Sequence, residues 1–300
     1  MTVPTLRGRP AGLAGLLLPI AAVVTAMAAF QVSAAFAKAL FPAVGPQGAA
    51  ALRLTLGAIM LVAISRPWRA WPPRAAWPAV IGLGLSVAAA VALFYAALSR
   101  LPQGVTIALQ FLGPLGVAVL GSRRLRDLVW AGLAAVGVWA LVGRGVAGAH
   151  LDPVGIAFAL GAACGWAGYI LCGRAAGTAL GPAAAPLSVS LAAVIVLPIG
   201  VAHAGAAILN PALLPLAAVV ALFSTVIPFS LELYAMARMP ARTFAVLMSV
   251  EPAFGAASGL LLLHERLAPT QVCGIAAVMV AAAGAAWSGA QATTLPPAPG

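Results

Sequence analysis

Long apolar runs separated by short polar segments make up most of the chain. A helix needs about 17–25 apolar residues to cross the ~30 Å hydrocarbon core of a bilayer. Ten runs fall in this range, at residues 13–36, 47–65, 76–98, 103–121, 127–143, 153–172, 183–203, 213–235, 241–263 and 268–288. The pattern predicts an all-α membrane protein with ten transmembrane helices joined by short loops.

Composition supports a membrane-embedded chain. The 300 residues are 63% hydrophobic and 7% charged, whereas soluble domains carry roughly 25% charged residues. The net charge of +11 comes from basic residues at the ends of the apolar runs, with no patch of interleaved aromatics. Membrane lipid is therefore an expected partner and nucleic acid is not.

Lysine and arginine in the loops predict the orientation. With the N-terminus inside, the inner segments hold 11 of the 16 basic residues and the outer loops hold 4. The positive-inside rule then predicts a multi-pass protein with both termini in the cytoplasm. The proline-rich segment 289–300 is predicted to be a disordered tail.

The two halves of the chain resemble each other. Pro102 and Pro114 match Pro240 and Pro252 at an offset of 138 residues. Each half holds five predicted helices, and an odd number of spans inserts the second half upside down. The sequence predicts two inverted five-helix repeats, at residues 13–143 and 153–288, with a substrate site near the midplane between them.

Three polar residues inside the apolar runs have no counterpart in the other half. They are Arg53, Gln110 and Glu251. The repeat offset pairs them with Val189, Met248 and Gly113. Scaffold residues should recur in both halves, but ligands of an asymmetric substrate need not. This asymmetry marks the three as candidate substrate-binding residues.

Glu251 is the strongest of these candidates. A carboxylate deep in a membrane is costly and by default marks a functional site. We place it about 15 Å along its helix, near the midplane, with Gly255 and Gly259 on the same face to admit a neighbouring helix. It is interpreted as an ammonium ligand or a proton carrier. The alternative is a buried carboxylate that forms an interhelical hydrogen bond.

Arg53 and Gln110 each allow two interpretations. The planar fork of Arg53 suits a substrate carboxylate, but the side chain can instead pair with backbone carbonyls or reach toward the membrane surface. Gln110 lies four residues before Pro114 and is either a substrate ligand or a clamp between helices.

Further residues complete the predicted site. Substrate contacts are predicted for Tyr95, Trp166, Tyr169 and Ser249, although aromatic residues often only pack and serine often bonds its own helix. Gating or coupling is predicted for Glu232, Arg238 and Pro252. For Glu232, an ion pair with Arg238 at the inner mouth is the simpler interpretation.

No enzyme motif is present in the sequence. Phosphate-binding loops, paired acidic clusters and GxSxG are absent, and the three histidines lie far apart. We therefore expect no metal, no cofactor and no catalysis.

Several blocks resemble the EamA-type drug/metabolite transporter superfamily, and in particular its bacterial inner-membrane threonine/homoserine exporters (RhtA type). The matching blocks are Ala51–Leu54, Phe111 to Pro114, Asp152 to Ile170, Ser224 to Glu232, and Arg238 to Pro252. The resemblance implies secondary-active export of small amino acids by alternating access. A purine, a cationic drug or another metabolite remains an alternative cargo, and a membrane-embedded enzyme or scaffold is a more distant one. Proton coupling and a homodimer stay open.

One position departs from the superfamily pattern. His264 stands before Glu265, where the superfamily usually has Gly-Glu.

Overall fold

The structure is a computed structural model that describes residues 13–69, 73–120, 128–142, 151–180, 183–236, 238–239 and 241–292. These residues form α-helices and short 3₁₀ or π segments, with no strand among them. The α-helices are α1 (Leu13–Lys38), α2 (Phe41–Ser65), α3 (Trp77–Leu98), α4 (Gln103–Gln110), α5 (Leu112–Leu120), α6 (Leu128–Val142), α7 (Pro153–Leu180), α8 (Ala184–Ala204), α9 (Leu214–Ala221), α10 (Ile227–Met236), α11 (Ala241–Met248), α12 (Glu251–Leu263) and α13 (Pro269–Ala292).

The predicted all-α membrane class is confirmed. In the described ranges, eight helical stretches are long and apolar enough to cross a membrane, and two shorter apolar stretches cover Gln103–Val117 and Leu128–Leu141. Each of the ten apolar runs coincides with one or two helices. The arrangement as ten spans in two inverted repeats stays a prediction.

Some helix limits differ from those predicted. Within α2, Gly45 has φ +67° and ψ 173°, which are not helical, so a short helical segment from Phe41 ends there. The long helix that follows begins at Pro46, next to the predicted start at residue 47. Helix α7 continues to Leu180. Helix α13 reaches Ala292, so the first four residues of the predicted tail are helical and residues 293–300 lie outside the described ranges.

Two predicted helices are broken in the middle. Helices α4 and α5 meet at Phe111, and helices α11 and α12 are separated by Ser249 and Val250. Pro252 occupies the second position of α12, where a missing backbone N–H costs no hydrogen bond. Glu251 is the first residue of α12, so it does not lie within one continuous helix as predicted, although it still follows the start of α11 at Ala241 by ten residues.

Packing brings the two halves of the chain together. Helix α2 packs against α8, α3 against α7, α6 against α13, α1 against α10, and α4 against α12. Glycines allow these approaches, since a Cβ on Gly104 of α4 would lie 2.8 Å from the Cα of Ala256 in α12. The candidate site lies where α1, α4 and α12 meet.

Candidate functional site

Glu251 faces the interior of the bundle. Its side chain is 8% exposed, and its Oε1 accepts a hydrogen bond of 2.8 Å from Nε2 of Gln31 in α1. The glycine face of α12 permits this approach, because a Cβ on Gly255 would meet Ile107 of α4 and lie 3.5 Å from Oε1 of Gln31. The carboxylate is thus held between helices and points away from lipid.

A buried polar network continues from Gln31 toward the Lys38 end of α1. Gln103, at the start of α4, donates from Nε2 to the Gln31 backbone oxygen at 2.8 Å and to Ser258 Oγ at 2.7 Å. The same Nε2 lies 3.2 Å from Gln31 Oε1. All three side chains are nearly fully buried. We call Gln31, Gln103 and Ser258 the amide network.

The amide network ends at an ion pair. Lys38 Nζ lies 2.5 Å from Oε1 of Glu265, and Oε2 of Glu265 accepts the backbone N–H of Gln103 at 2.7 Å. That N–H belongs to the first turn of α4, where backbone donors lack partners within the helix. Glu265 thereby joins the end of α1 to the start of α4, and His264 before it adopts φ +54°.

Arg53 of α2 is buried against Phe30, the residue before Gln31 in α1. Its guanidinium carbon lies 5.0 Å from the ring centre of Phe30 and 5.6 Å from that of Tyr95. One terminal nitrogen donates to the backbone oxygen of Ser224 at 3.2 Å, which lies in a π-helical turn at Leu222–Val226. Arg53 and Glu251 therefore contact the consecutive α1 residues Phe30 and Gln31.

Four predicted site residues hold buried polar atoms with no hydrogen-bond partner in the described part of the chain. They are Arg53 (Nε), Tyr95 (the hydroxyl), Gln110 (Oε1) and Trp166 (Nε1). A buried donor or acceptor left unpaired costs about 1–3 kcal/mol. These atoms have hydrogen-bonding capacity that a bound solute or water can use.

Trp166 and Tyr169 form one aromatic pair on α7. Their ring centres lie 5.2 Å apart in an edge-to-face arrangement. Glu232, in α10, is half-buried.

The remaining predicted residues have local partners. Ser249 donates to the Val246 backbone oxygen at 2.6 Å. Arg238 stacks on the ring of Tyr234 at 3.9 Å and bonds its carbonyl. Ion pairs between described residues join Lys38 to Glu265 and Arg100 to Asp152, so the inner-mouth pair of Glu232 with Arg238 does not form in this conformation.

Sequence reasoning missed the amide network. The comparison of the halves that selected Gln110 would also have selected Gln31 and Gln103, since Ala167 and Ala241 stand at the corresponding positions. The same comparison pairs Ser258 with Leu120, but a serine in an apolar helix is a weaker signal because it commonly bonds its own backbone.

No metal site is evident in the described ranges. They contain no group of three histidine, cysteine or acidic side chains placed to hold a metal ion.

Comparisons with known proteins identify the class. The sequence profile of the EamA-like transporter family matches residues 153–287. The threonine/homoserine exporter RhtA of Escherichia coli (strain K12) is 43% identical over 267 residues, which are 89% of this chain and 90% of that protein. RhtA of Salmonella typhimurium (strain LT2) matches with the same identity and coverage.

The chain therefore belongs to the EamA-like transporter family. It is a membrane transporter and not an enzyme. A solved crystal structure with 19% identity aligns at a TM-score of 0.59 over 95% of this chain and 100% of that chain, which shows a shared fold.

Proposed function

We propose that this protein exports threonine and homoserine from the cytoplasm across the inner membrane. The similarity to RhtA over 89% of the chain supports this cargo. The structural observation that carries the proposal is that the cationic Arg53 and the anionic Glu251 contact two consecutive residues of α1.

This placement suits a zwitterionic amino acid. The cargo's ammonium would bind Glu251, and its carboxylate would bind Arg53, whose Nε has no partner. A guanidinium presents several donors in a fixed plane, which matches the two oxygens of a carboxylate. Both ends of the amino acid would then be satisfied inside an apolar bundle.

Other predicted residues have supporting roles in this proposal. The unpaired hydroxyl of Tyr95, the amide oxygen of Gln110 and the indole N–H of Trp166 would bind the remaining polar atoms of the cargo or its water. Tyr169 and Ser249 would shape the cavity. Glu232, Arg238 and the helix break at Pro252 would act in gating or coupling.

An inverted repeat of two five-helix units supports transport by alternating access. Helices α4 (Gln103–Gln110) and α11 (Ala241–Met248) have equal length and lie 138 residues apart, the offset that relates Pro114 to Pro252. Each is followed by a break and a second helix. In the predicted repeat, α3 corresponds to α10 and α7 corresponds to α1. The packing of α3 on α7 should therefore recur as packing of α10 on α1, and both contacts are present.

The excess of basic residues in one set of loops supports an orientation with both termini in the cytoplasm. Lys38 and Glu265 would then lie at the outer face, and Arg238 at the inner face. The energy source would be the amino-acid gradient or the proton-motive force, with Glu251 as the group that exchanges the proton.

A flux assay on the purified full chain in liposomes tests the proposal. We expect labelled threonine and homoserine to be transported and to compete with each other, and Glu251→Gln to abolish flux while leaving expression intact. A purine and a cationic drug should not compete. Transport of either of these without transport of threonine would overturn the proposed cargo.

A further inference from the structure

Gln31 lies between two sites that have no direct contact with each other. On one side its Nε2 holds Glu251 at 2.8 Å. On the other, its backbone oxygen and Oε1 lie 2.8 and 3.2 Å from Nε2 of Gln103, whose own backbone N–H is bound by Glu265. A continuous path of polar contacts, buried at Glu251 and partly exposed at Lys38, therefore runs between these two residues.

We infer that Gln31 is a coupling residue of the transport cycle, which transmits the state of Glu251 to a latch at the outer end of the bundle. The latch consists of Lys38, Glu265 and the first turn of α4 at Gln103. This inference rests on the proposed function and orientation, and it adds a role for a residue that binds no cargo itself.

The latch draws together three helix ends. Lys38 is the last residue of α1, Gln103 is the first of α4, and Glu265 follows the end of α12 by two residues. A cation at a helix C-terminus and a carboxylate at a helix N-terminus both complement the helix dipoles. While these contacts hold, the ends of α1, α4 and α12 cannot separate.

Occupation of Glu251 changes the bond that Gln31 makes. A hydrogen bond to a charged carboxylate is roughly twice as strong as one between neutral groups. When a substrate ammonium or a proton neutralises the Glu251 carboxylate, the hydrogen bond from Gln31 Nε2 to Glu251 weakens. Gln103 then keeps its bond to the Gln31 backbone oxygen but loses the fixed position of Gln31 Oε1 at 3.2 Å, and the first turn of α4 is freer to leave Glu265.

This coupling links loading of the carrier to opening of its outer end, while the gradients set the direction of net transport. A cargo that reaches Glu251 from the cytoplasm would loosen the outer latch, so the loaded carrier opens outward. The empty carrier keeps Glu251 charged and bound to Gln31, which holds the latch closed.

Amide hydrogen exchange on the full chain in lipid nanodiscs tests the inference without any cargo. The readout is exchange in peptides covering residues 99–108 and 262–268. Glu251→Gln and Gln31→Met should each raise exchange there by about tenfold, the factor equivalent to ~1.4 kcal/mol. The double variant should exceed neither single variant by more than about twofold, because both act through one bond.

Gln47→Met is the matched control. Gln47 is likewise a glutamine within an apolar helix, but it is only part-buried and bonds the Ala92 backbone oxygen at 3.3 Å outside the network. Its replacement should leave latch exchange within about twofold of the wild type. Wild-type exchange in Gln31→Met or in Glu251→Gln, or an equal rise in Gln47→Met, would overturn the inference.

A second arm adds threonine. Threonine should raise latch exchange in the wild type but not further in Gln31→Met. A wild-type protein that ignores threonine, while the two variants still open the latch, would contradict the proposed cargo and support the coupling.

Discussion

Gln31 Nε2 donates a hydrogen bond of 2.8 Å to Glu251 Oε1, joining residues 220 positions apart. The bond fixes a carboxylate at the first residue of α12, where the partial positive charge of a helix N-terminus lies. It also leaves Glu251 with unused lone pairs, because an ionised carboxylate has about four acceptor positions. Glu251 can thus be held by the protein and still bind a cargo ammonium.

Glu251→Gln should lower threonine flux by at least about tenfold, since the amide keeps the size of the side chain but loses the charge that the ammonium needs. Flux into liposomes at equal protein content is the measurement. Asp152→Asn is the control, because Asp152 is paired with Arg100 at an exposed position, and it should transport normally. Wild-type flux in Glu251→Gln would remove Glu251 from the mechanism.

Arg53→Lys should raise the KM for threonine by about tenfold, because an ammonium cannot reproduce the planar fork of a guanidinium. The comparison variant is Arg100→Lys. Arg100 likewise lies near an aromatic ring, at 5.9 Å from Phe158, but outside the proposed site, so its KM should not change. An unchanged KM in Arg53→Lys would mean that Arg53 does not bind the substrate carboxylate and that its role is the bond with Ser224.

Gly104→Ala should destabilise the protein by about 1–3 kcal/mol, since the added methyl meets the backbone of Ala256 and packed helices yield little. Thermal unfolding in detergent is the measurement. Gly116→Ala tests the interpretation, because no atom lies within 4 Å of its added Cβ. Gly116→Ala should be neutral or slightly stabilising, and a similar loss in both variants would argue against close packing of α4 on α12.

His264→Gly should stabilise the protein by about 1 kcal/mol. His264 has φ +54°, a left-handed conformation that glycine adopts without steric cost. His203→Gly provides the contrast, since His203 lies in the last turn of α8 and glycine there should lower the unfolding temperature. Destabilisation by His264→Gly would show that the imidazole itself contributes.

The contact between Asp152 and Arg100 lies outside the membrane spans, and we expect acid to weaken it. The hydrogen bond with Arg100 lowers the pKa of Asp152 below its ordinary value of 3.8. A lowered folded-state pKa adds stability above pH 3.8 that is lost as the pH falls further. Asp152→Asn should therefore unfold at a lower temperature than the wild type at pH 6, and the difference should vanish well below pH 3.8. A difference that persists in acid would show that the ionised carboxylate is not the source of the stability.

Much of the helix pattern was predictable from the sequence, because apolar length directly reflects the thickness of a bilayer. The breaks at Phe111 and at Ser249–Val250 were not placed, although Pro114 and Pro252 marked their vicinity. A proline is compatible with the first turn of a new helix as well as with a kink, and only packing decides between these outcomes. The displacement of Glu251 to a helix start follows from that ambiguity.

The candidate site was predictable only in part. Isolated charges such as Arg53 and Glu251 are conspicuous in an apolar chain, and both proved to be buried. The polar residues beside Glu251 were not conspicuous, since Gln31, Gln103 and Ser258 are neutral. They form a network only because α1, α4 and α12 pack together in the fold. Neutral polar side chains gain their roles from tertiary contacts that periodicity does not encode.

The Lys38–Glu265 pair also bears on how the protein is made. The two residues lie 227 positions apart, so the ribosome releases Lys38 long before its counter-ion exists. The nascent first helix therefore carries an ammonium without its counter-ion until nearly the whole chain has been synthesised. A prematurely terminated product that ends before Glu265 would lack this tie and would expose an open end of α1 to membrane quality-control proteases.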